Sequence, residues 1–486
     1  MLLGGDAELV AIGIGHDPPS ETGDLVVFDV RPSHADDTGG GGFEITHGRV
    51  EVEAATPGGR LSDSLKCNRE GARPLRFQPY ETLRLMTDLY CQQFTPEPGE
   101  ALLIGGIDHH GAHSGNHIVG HGTLLANAVG RHFPRLPGVE CNAYPPPAMR
   151  AWLLDDIKGP GSLRPGEVDD PSPGPDEVVI DIKVAGLNHL DVWVTHGLPA
   201  PESLPHIPGS DGAGIVTAVG EAVSDWTAGD EVIINPSLSC GQCEACRRDE
   251  MVFCKSFGIL GEKIPGTMTE RIAVPTSSLF RRPEGVDWPT AGTFGLATGT
   301  AYRMLARARL QKAETVLVVG VGGGVSSAAA LIAVARGARV FVTSRSPDKI
   351  AWAMTHGAEM GFDSSGEFSK ELRSVVGAGA DVVIENVGLA TWRQSMRSLE
   401  AGGRMVICGA TAGNRVELVL PVLWFKQYEL IGSTMFNRSE FEAALALVAS
   451  GSVPVPIDRI YPFEEFPEAM RRLEAGEQMG KIGVSL

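Results

Sequence analysis

Cys240, Cys243, Cys246 and Cys254 stand in C-x2-C-x2-C-x7-C spacing. Thiolates this close in sequence can close a tetrahedral zinc shell, and a shell with no open position holds structure rather than activating a substrate. Two local disulfides are the competing arrangement. They fit poorly with a chain that opens without a signal peptide and reads as soluble, so one structural Zn2+ and a reducing, cytoplasmic setting are expected. Cys67, Cys91, Cys141 and Cys408 are scattered without ligand spacing and read as ordinary thiols.

A second chemical signature begins at Thr315. Thr315 to Val319 is a continuous apolar run, followed by Gly320-Val321-Gly322-Gly323-Gly324-Val325-Ser326 and an Ala-rich helical segment through Arg336. Strand, glycine turn and helix start together suit a pyrophosphate, because backbone must approach it closely and the helix N-terminus offers unpaired N–H groups and a positive dipole end. Gly322, Gly323, Gly324 and Val325 are therefore candidate cofactor contacts. The next apolar run, Arg339 to Thr343, ends where an adenosine ribose would lie, and there an NAD-selective site usually places an acid. This chain has Ser344-Arg345, with Lys349 shortly after. Lack of a carboxylate removes repulsion against a 2′-phosphate, and a guanidinium can pair with one, which favours NADP(H) over NAD(H). A solvated loop charge is the bland alternative.

The elements that must position these groups occupy a chain of 486 residues with 43% hydrophobic content, enough for two or three domains. The net charge of −19 argues against nucleic-acid or anionic-membrane partners, which require a basic face, and no apolar run is long enough to span a bilayer. Organisation changes near Pro145-Pro146-Pro147. Upstream, glycine-rich stretches such as Gly39 to Gly42 separate a short apolar run at Leu25 to Val30, an alternating one at Phe43 to Ala54 and helical spacing at Tyr80 to Phe94. His109, His110, His113, His117 and His121 include members four apart that one helix face could offer to a metal. The glycines among them make a loop the better expectation. Downstream of Met149, strand-like alternation at Glu177 to Ala185 precedes short glycine-punctuated strands and then a βαβ alternation from Thr315.

Taken together, Asn188-His189-Leu190-Asp191, Pro208-Gly209-Ser210-Asp211-Gly212-Ala213-Gly214, the four-cysteine lobe, the glycine turn and Gly432-Ser433-Thr434-Met435 resemble, in order, the medium-chain dehydrogenase/reductases. The resemblance spans residues 149–486 and is nearest to relatives of zinc alcohol dehydrogenases and quinone oxidoreductases that keep the structural zinc but lack the catalytic one. It implies an α/β chain. A GroES-like, partly open β-barrel catalytic domain would span 149–295 with the zinc lobe at 240–254. A doubly wound Rossmann domain would follow at 296–431, and 432–486 would return to complete the barrel. Residues 1–148 are then either a genuine appendage of unknown fold or a start-site artefact with translation beginning at Met149.

The departures from the family pattern bear on mechanism. Its catalytic zinc takes a cysteine, a histidine and a later cysteine or acid, and these positions match Asn188, Ser210 and the vicinity of Phe294, with Asp211 for the usual glutamate. None is a good zinc ligand. The hydroxyl that starts the family's proton relay matches Leu190. The resemblance therefore implies hydride transfer from NADPH to an acceptor that is activated already, a quinone or an α,β-unsaturated carbonyl. Asn188 is the candidate for polarising the acceptor carbonyl or holding the cofactor's carboxamide, since its amide both donates and accepts. Asp191 is the nearest titratable group in the motif, with loop orientation as its plainer role; His189 and His196 are further proton-donor candidates. Thr298, Asn386, Val387, Gly388, Gly409, Ala410 and Ser433 are implied cofactor contacts. Ser326, in place of the turn's last glycine, is expected to loosen helix–strand packing. A homodimer through edge strands of the nucleotide domain is also implied. Two other functions remain: an alcohol dehydrogenase with an unfamiliar ligand set, and a non-enzymatic nucleotide-binding protein on the same fold.

Overall fold

The chain divides into two compact units, 1–143 and 144–486. The computed structural model describes residues 148–486 throughout and, before them, the backbone of the strands Glu8–Ile14, Thr22–Pro32, Phe43–Glu53, Lys66–Asn68, Arg76–Phe77 and Leu102–Gly106. In the first unit these strands form one antiparallel sheet, ordered 66–68, 43–53, 22–32, 8–14, 102–106, with 76–77 also paired to 43–53. The alternating run at Phe43 is a strand, paired along its whole length with Thr22–Pro32. The helical spacing at Tyr80 to Phe94 and the histidines between 109 and 121 lie outside the described residues.

The second unit holds two large sheets. In the first, Glu177–Leu187 pairs antiparallel with Asp211–Val219, Arg271–Pro275 and Lys481–Ser485. Leu279–Arg281 and Glu231–Ile234 extend one side, and Ile457–Pro462 runs parallel to Lys481–Ser485 at the other. The register slips between Ala213 and Gly214 and again between Val216 and Ala218, bends of the kind that curl a sheet toward a barrel. Gly214 is required at the first, because a Cβ there would stand 2.1 Å from the Asp181 carbonyl oxygen. Inside the curl, Ile180, Ile182, Val216, Val232, Val274, Val484 and Phe466 pack together.

The second sheet is wholly parallel, ordered Met360–Asp363, Arg339–Ser344, Thr315–Val318, Ala380–Glu385, Leu399–Ile407, Glu429–Gly432. Its central strands are apolar on both faces because helices cover both. Val316, Val318 and Val340 pack toward the helix Gly324–Ala335, and Leu317, Phe341 and Val383 pack on the opposite side. The order reverses between Thr315–Val318 and Ala380–Glu385, and the crevice beyond the carboxyl ends at such a switch point is where open α/β sheets bind ligands.

The two sheets share helices. Gly295–Arg307 carries the chain from one to the other, and Arg438–Ala449 packs against it, tied by a largely buried Arg303–Glu440 pair at 2.7 Å. Phe294, Phe436 and Phe441 fill the junction, with Phe441 5.2 and 5.3 Å from the other two ring centres. The cysteine lobe is a loop between Ser237–Leu238 and Gly258–Ile259, two short strands that pair at its base.

Candidate active site

In the lobe, the four Sγ atoms lie within 4.8 Å of one another. The closest pairs are 3.5 Å (Cys243–Cys246 and Cys240–Cys254) and 3.9 Å (Cys240–Cys246). A disulfide requires about 2.05 Å. A tetrahedron with Zn–S bonds of about 2.3 Å has edges of about 3.8 Å, which these separations match. Backbone N–H groups favour thiolates here: those of Gln242 and Cys243 hold the Cys240 thiol down to about 6. The amides of Cys240 and Ser256 point at Cys254 Sγ from 3.5 and 3.4 Å. Cys246 goes the other way, pushed up to about 11 by burial, so its deprotonation needs a partner cation.

The glycine turn sits at the end of Thr315–Val318. Gly320 and Gly322 take φ of +74° and +121°. Nothing lies within 4 Å of where a Cβ on Gly323 would point, so open space remains above the first turn of Gly324–Ala335. Ser326 corrects the expectation of loosened packing. Its hydroxyl is fully buried, donates to Val319 O at 3.1 Å and accepts from Asn386 Nδ2 at 2.9 Å, pinning helix, strand end and neighbouring turn together. Ser344 is buried and its Oγ accepts from Ser346 N at 3.2 Å. Arg345 is exposed, with no side-chain partner among the described residues. Lys349 leans across Gly322 and donates to Gly476 O at 2.8 Å. Burial, and secondarily the charge of Arg345, lowers its pKa.

Asn386, Val387 and Gly388 form the turn after Ala380–Glu385, and Glu385 shapes it. This buried carboxylate accepts from the amides of Val387 (2.7 Å) and Gly388 (3.0 Å) and from the hydroxyls of Thr391 and Ser395. Gly409 and Ala410 follow Leu399–Ile407, with Ala410 against Gly388 and Gly409 beside Asn386. Ser433 donates its amide to Ile407 O at 2.8 Å, and its buried hydroxyl has no partner. Thr298 is buried in the opening turns of Gly295–Arg307. All but Thr298 thus gather at the carboxyl ends of the parallel strands.

On the barrel side, Asn188 precedes the helix His189–Thr195 and is only 6% exposed. Both ends of its amide are engaged. Nδ2 donates to Asp211 Oδ2 at 2.9 Å, and Oδ1 accepts from Lys481 Nζ. The same ammonium reaches Asp211 Oδ2 at 3.0 Å and Leu187 O at 2.7 Å, so its three protons have three acceptors. Asp211 turns its other oxygen to the amide of Leu296 at 2.6 Å. Asp191 binds the loops together, accepting from Asn188 N at 2.7 Å and Gly209 N at 3.0 Å. Burial pushes it up to about 7, against the pull of those N–H groups and of Lys481.

His189 and His196 do not hydrogen-bond this group. His189 packs edge-on against Trp193, and burial lowers its pKa; His196 pairs with Glu474 at 3.2 Å. Ser210 is buried with an unpartnered hydroxyl, and Phe294 points into the Phe436–Phe441 core. Among the described residues, the groups that could converge on a metal are the four cysteines.

Three contributors escaped the sequence reading. Lys481 opens an otherwise apolar strand, Lys481-Ile482-Gly483-Val484, and its stem passes the glycine turn: a Cβ on Gly324 would stand 2.9 Å from its Cδ. Glu385 ends the apolar strand Val382-Val383-Ile384. A lone charge at the end of a buried strand was the available signal for both. Trp193 reaches Gly409 across the cleft, and nothing local marks it.

A curled sheet joined to a doubly wound sheet, with the glycine turn at the switch point, is the architecture of two-domain nucleotide-dependent dehydrogenases. Residues 174–284 match the family model "Alcohol dehydrogenase GroES-like domain" and 324–450 match "Zinc-binding dehydrogenase". The acryloyl-coenzyme A reductase of Metallosphaera sedula is 31% identical over 337 residues, 69% of this chain and 99% of that protein. A solved NAD-dependent alcohol dehydrogenase matches with 36% identity and a TM-score of 0.68, covering 70% of this chain and all of that one. A 2-octenoyl-CoA carboxylase reductase, solved with NADP and 2-octenoyl-CoA, matches at 27% identity and TM-score 0.66, over 70% of this chain and 88% of the other. The chain belongs to the medium-chain dehydrogenase/reductase superfamily, a family of oxidoreductases.

Proposed function

We propose that this protein is an NADPH-dependent reductase of conjugated acceptors, α,β-unsaturated carbonyls or quinones, working without a catalytic zinc and holding one structural zinc on Cys240, Cys243, Cys246 and Cys254. The observation that carries the reading is the Asn188–Asp211–Lys481 group. Where the family would place its first zinc ligand the chain has the Asn188 amide, and beside the second, at Ser210, it has the Asp211 carboxylate; both are already engaged by the Lys481 ammonium. A divalent cation brought there would face a resident positive charge and no thiolate or imidazole.

The cofactor supplies the hydride. The chain's own residues bind, orient and exclude water. Gly323 and the helix start leave room and N–H groups for a pyrophosphate, and Arg345 offers an unclaimed guanidinium for a 2′-phosphate. Lys481 fixes the amide of Asn188, so that group is positioned before any acceptor arrives; its second Nδ2 proton is the one left for an acceptor oxygen or a carboxamide. The relatives that act on acryloyl-CoA and 2-octenoyl-CoA support the enoyl class of acceptor.

We also propose a homodimer through the open edge of Glu429–Gly432. Beside that edge, Val419, Leu420, Trp424 and Phe425 expose 53–80% of their surface, an apolar patch of the kind that monomers rarely show.

The test is a turnover panel of NADPH and NADH with enoyl-CoA thioesters, simple enones and quinones, run beside alcohols with NADP+ and NAD+, together with zinc content per chain. One zinc and NADPH-linked reduction of a conjugated acceptor are expected. Two zincs with alcohol oxidation would favour the alcohol dehydrogenase reading, and cofactor binding without any turnover the non-enzymatic one.

A further inference from the structure

We propose that the protein carries a second small-molecule site outside the cleft, a cavity that takes an α-amino acid with an apolar side chain, its carboxylate on Arg438 and its ammonium on Glu442. The cavity, about 540 Å³, lies between the strand Leu279–Arg281, the loop at Asp225 and Trp226, and the first turns of the helix Arg438–Ala449. None of the residues assigned above to the cofactor, the zinc or the Asn188 group lines it. The proposal is therefore independent of the reductase reading.

The two guanidinium groups of this cavity are differently placed. Arg281 has a counterion: it lies 4.7 Å over the Trp226 ring, pairs with Asp230 at 2.9 Å and donates to Asp225 O at 2.9 Å. Arg438 has none among the described residues. It sits 4.3 Å over the Phe280 ring and donates to the carbonyl oxygens of Ser277 and Leu279, the second at 3.3 Å. A guanidinium has five N–H groups, so most of its donors stay free, and those in use meet neutral acceptors. Burial lowers its pKa against the pull of Glu442 and Asp249, so an anion brought there would be stabilised. Glu442 stands one helical turn on, at the spacing where such pairs usually close. The two are not joined, and the Glu442 carboxylate, which also lines the cavity, accepts no hydrogen bond among the described residues.

An unpaired cation and an unpaired carboxylate on one cavity match a ligand that carries both charges. A simple anion would bind Arg438 with Glu442 beside it, and a simple cation would meet the reverse conflict; a zwitterion satisfies both. Trp226 and Phe280 give the wall an apolar part for the side chain. The size suits a small ligand held by a few polar groups.

The experiment is calorimetric titration of the full chain with L-phenylalanine and L-leucine, and with phenethylamine and 3-phenylpropionate, which lack the carboxylate and the ammonium respectively. Both amino acids should bind saturably at one site per chain. Each half-charged analogue should bind at least about tenfold more weakly than phenylalanine, the range for losing a charge-assisted contact. Arg438→Gln should weaken phenylalanine by about tenfold and spare phenethylamine; Glu442→Gln should weaken phenylalanine and spare 3-phenylpropionate. Circular dichroism checks that the variants fold. If Arg438→Gln does not, Glu442→Gln decides alone, because that side chain makes no bond whose loss could disturb the helix. No saturable binding of either amino acid would overturn the proposal. So would an affinity for 3-phenylpropionate equal to that for phenylalanine, or phenylalanine binding that Glu442→Gln leaves unchanged. Equal losses of all ligands in a folded variant would mean that the cavity's shape, not its charges, is read, and would overturn it too.

Discussion

Lys481 is the residue on which the barrel side of the site turns. Its ammonium and the Asp211 carboxylate are 4% and 1% exposed, so neither can fall back on water. Lys481→Met should therefore destabilise the protein by about 3–5 kcal/mol, the cost of stranding a buried charge. Adding Asp211→Asn should recover much of that loss in denaturant melts; a double variant no more stable than the single one would show that the charge is not the issue. Asp191 makes a separate, pH-dependent contribution. Burial raises it from its ordinary 3.8 to about 7 in the folded chain, so folding favours its protonated form. Its contribution is most favourable below about pH 4, is lost as pH rises from there toward 7, and is constant above. Asp191→Asn cannot titrate, and one of its two backbone donors would meet an NH2. The variant should be less stable at every pH, with the gap to wild type narrowing between pH 4 and 7. A gap independent of pH would mean that folding does not shift the Asp191 carboxyl.

At the scale of elements, each loop is fixed by something other than its own sequence. The cysteine lobe has one four-residue α-helix, Glu244–Arg247, a single 3-10 turn, Met251–Phe253, and few buried apolar residues, so its shape depends on the sulfurs. Cys243→Ser should lower the zinc content from one per chain toward none and reduce the melting temperature, while the folded fraction still binds NADPH. Retention of one zinc would locate the metal elsewhere. The strand end at Ser344-Arg345 leads into the helix Pro347–Thr355, capped by Ser346. Because Arg345 has no partner there, its removal should spare the fold. Arg345→Ala should weaken NADPH binding by about 1–3 kcal/mol, as for one charge-assisted contact, and leave NADH almost unchanged. Equal losses would point away from the 2′-phosphate.

At the scale of the whole molecule, the edge strand Glu429–Gly432 and the exposed helix Leu420–Lys426 form, among the described residues, the surface with the clearest reason to be covered. Phe425, 80% exposed, should tolerate a charge in a monomer and not in a dimer interface. Phe425→Glu is expected to convert a dimer to monomers in sedimentation or light scattering without lowering the affinity for 2′,5′-ADP. A wild type that sediments as a monomer would remove the interface altogether.

Local chemistry determined a good deal of this protein before any folding was considered. C-x2-C-x2-C-x7-C spacing places four sulfurs within reach of one ion whatever surrounds them, and the lobe brings them to tetrahedral separations. The strand, glycine turn and helix at Thr315 to Arg336 were legible because a buried parallel strand must be apolar throughout and the turn must take positive φ. Ser326 was misjudged from sequence because its value lies in two partners, Val319 and Asn386, the second 60 positions away. Asn188 was legible as a polar residue at a critical loop, but not as a group held at both ends. Lys481 stands 293 positions further on, and only the return of the last strand beside Glu177–Leu187 sets its ammonium between Asn188 and Asp211. Spacing reports what a few neighbouring residues can reach; which distant charge neutralises a buried carboxylate, and which ring spans a cleft, is decided by the path of the chain.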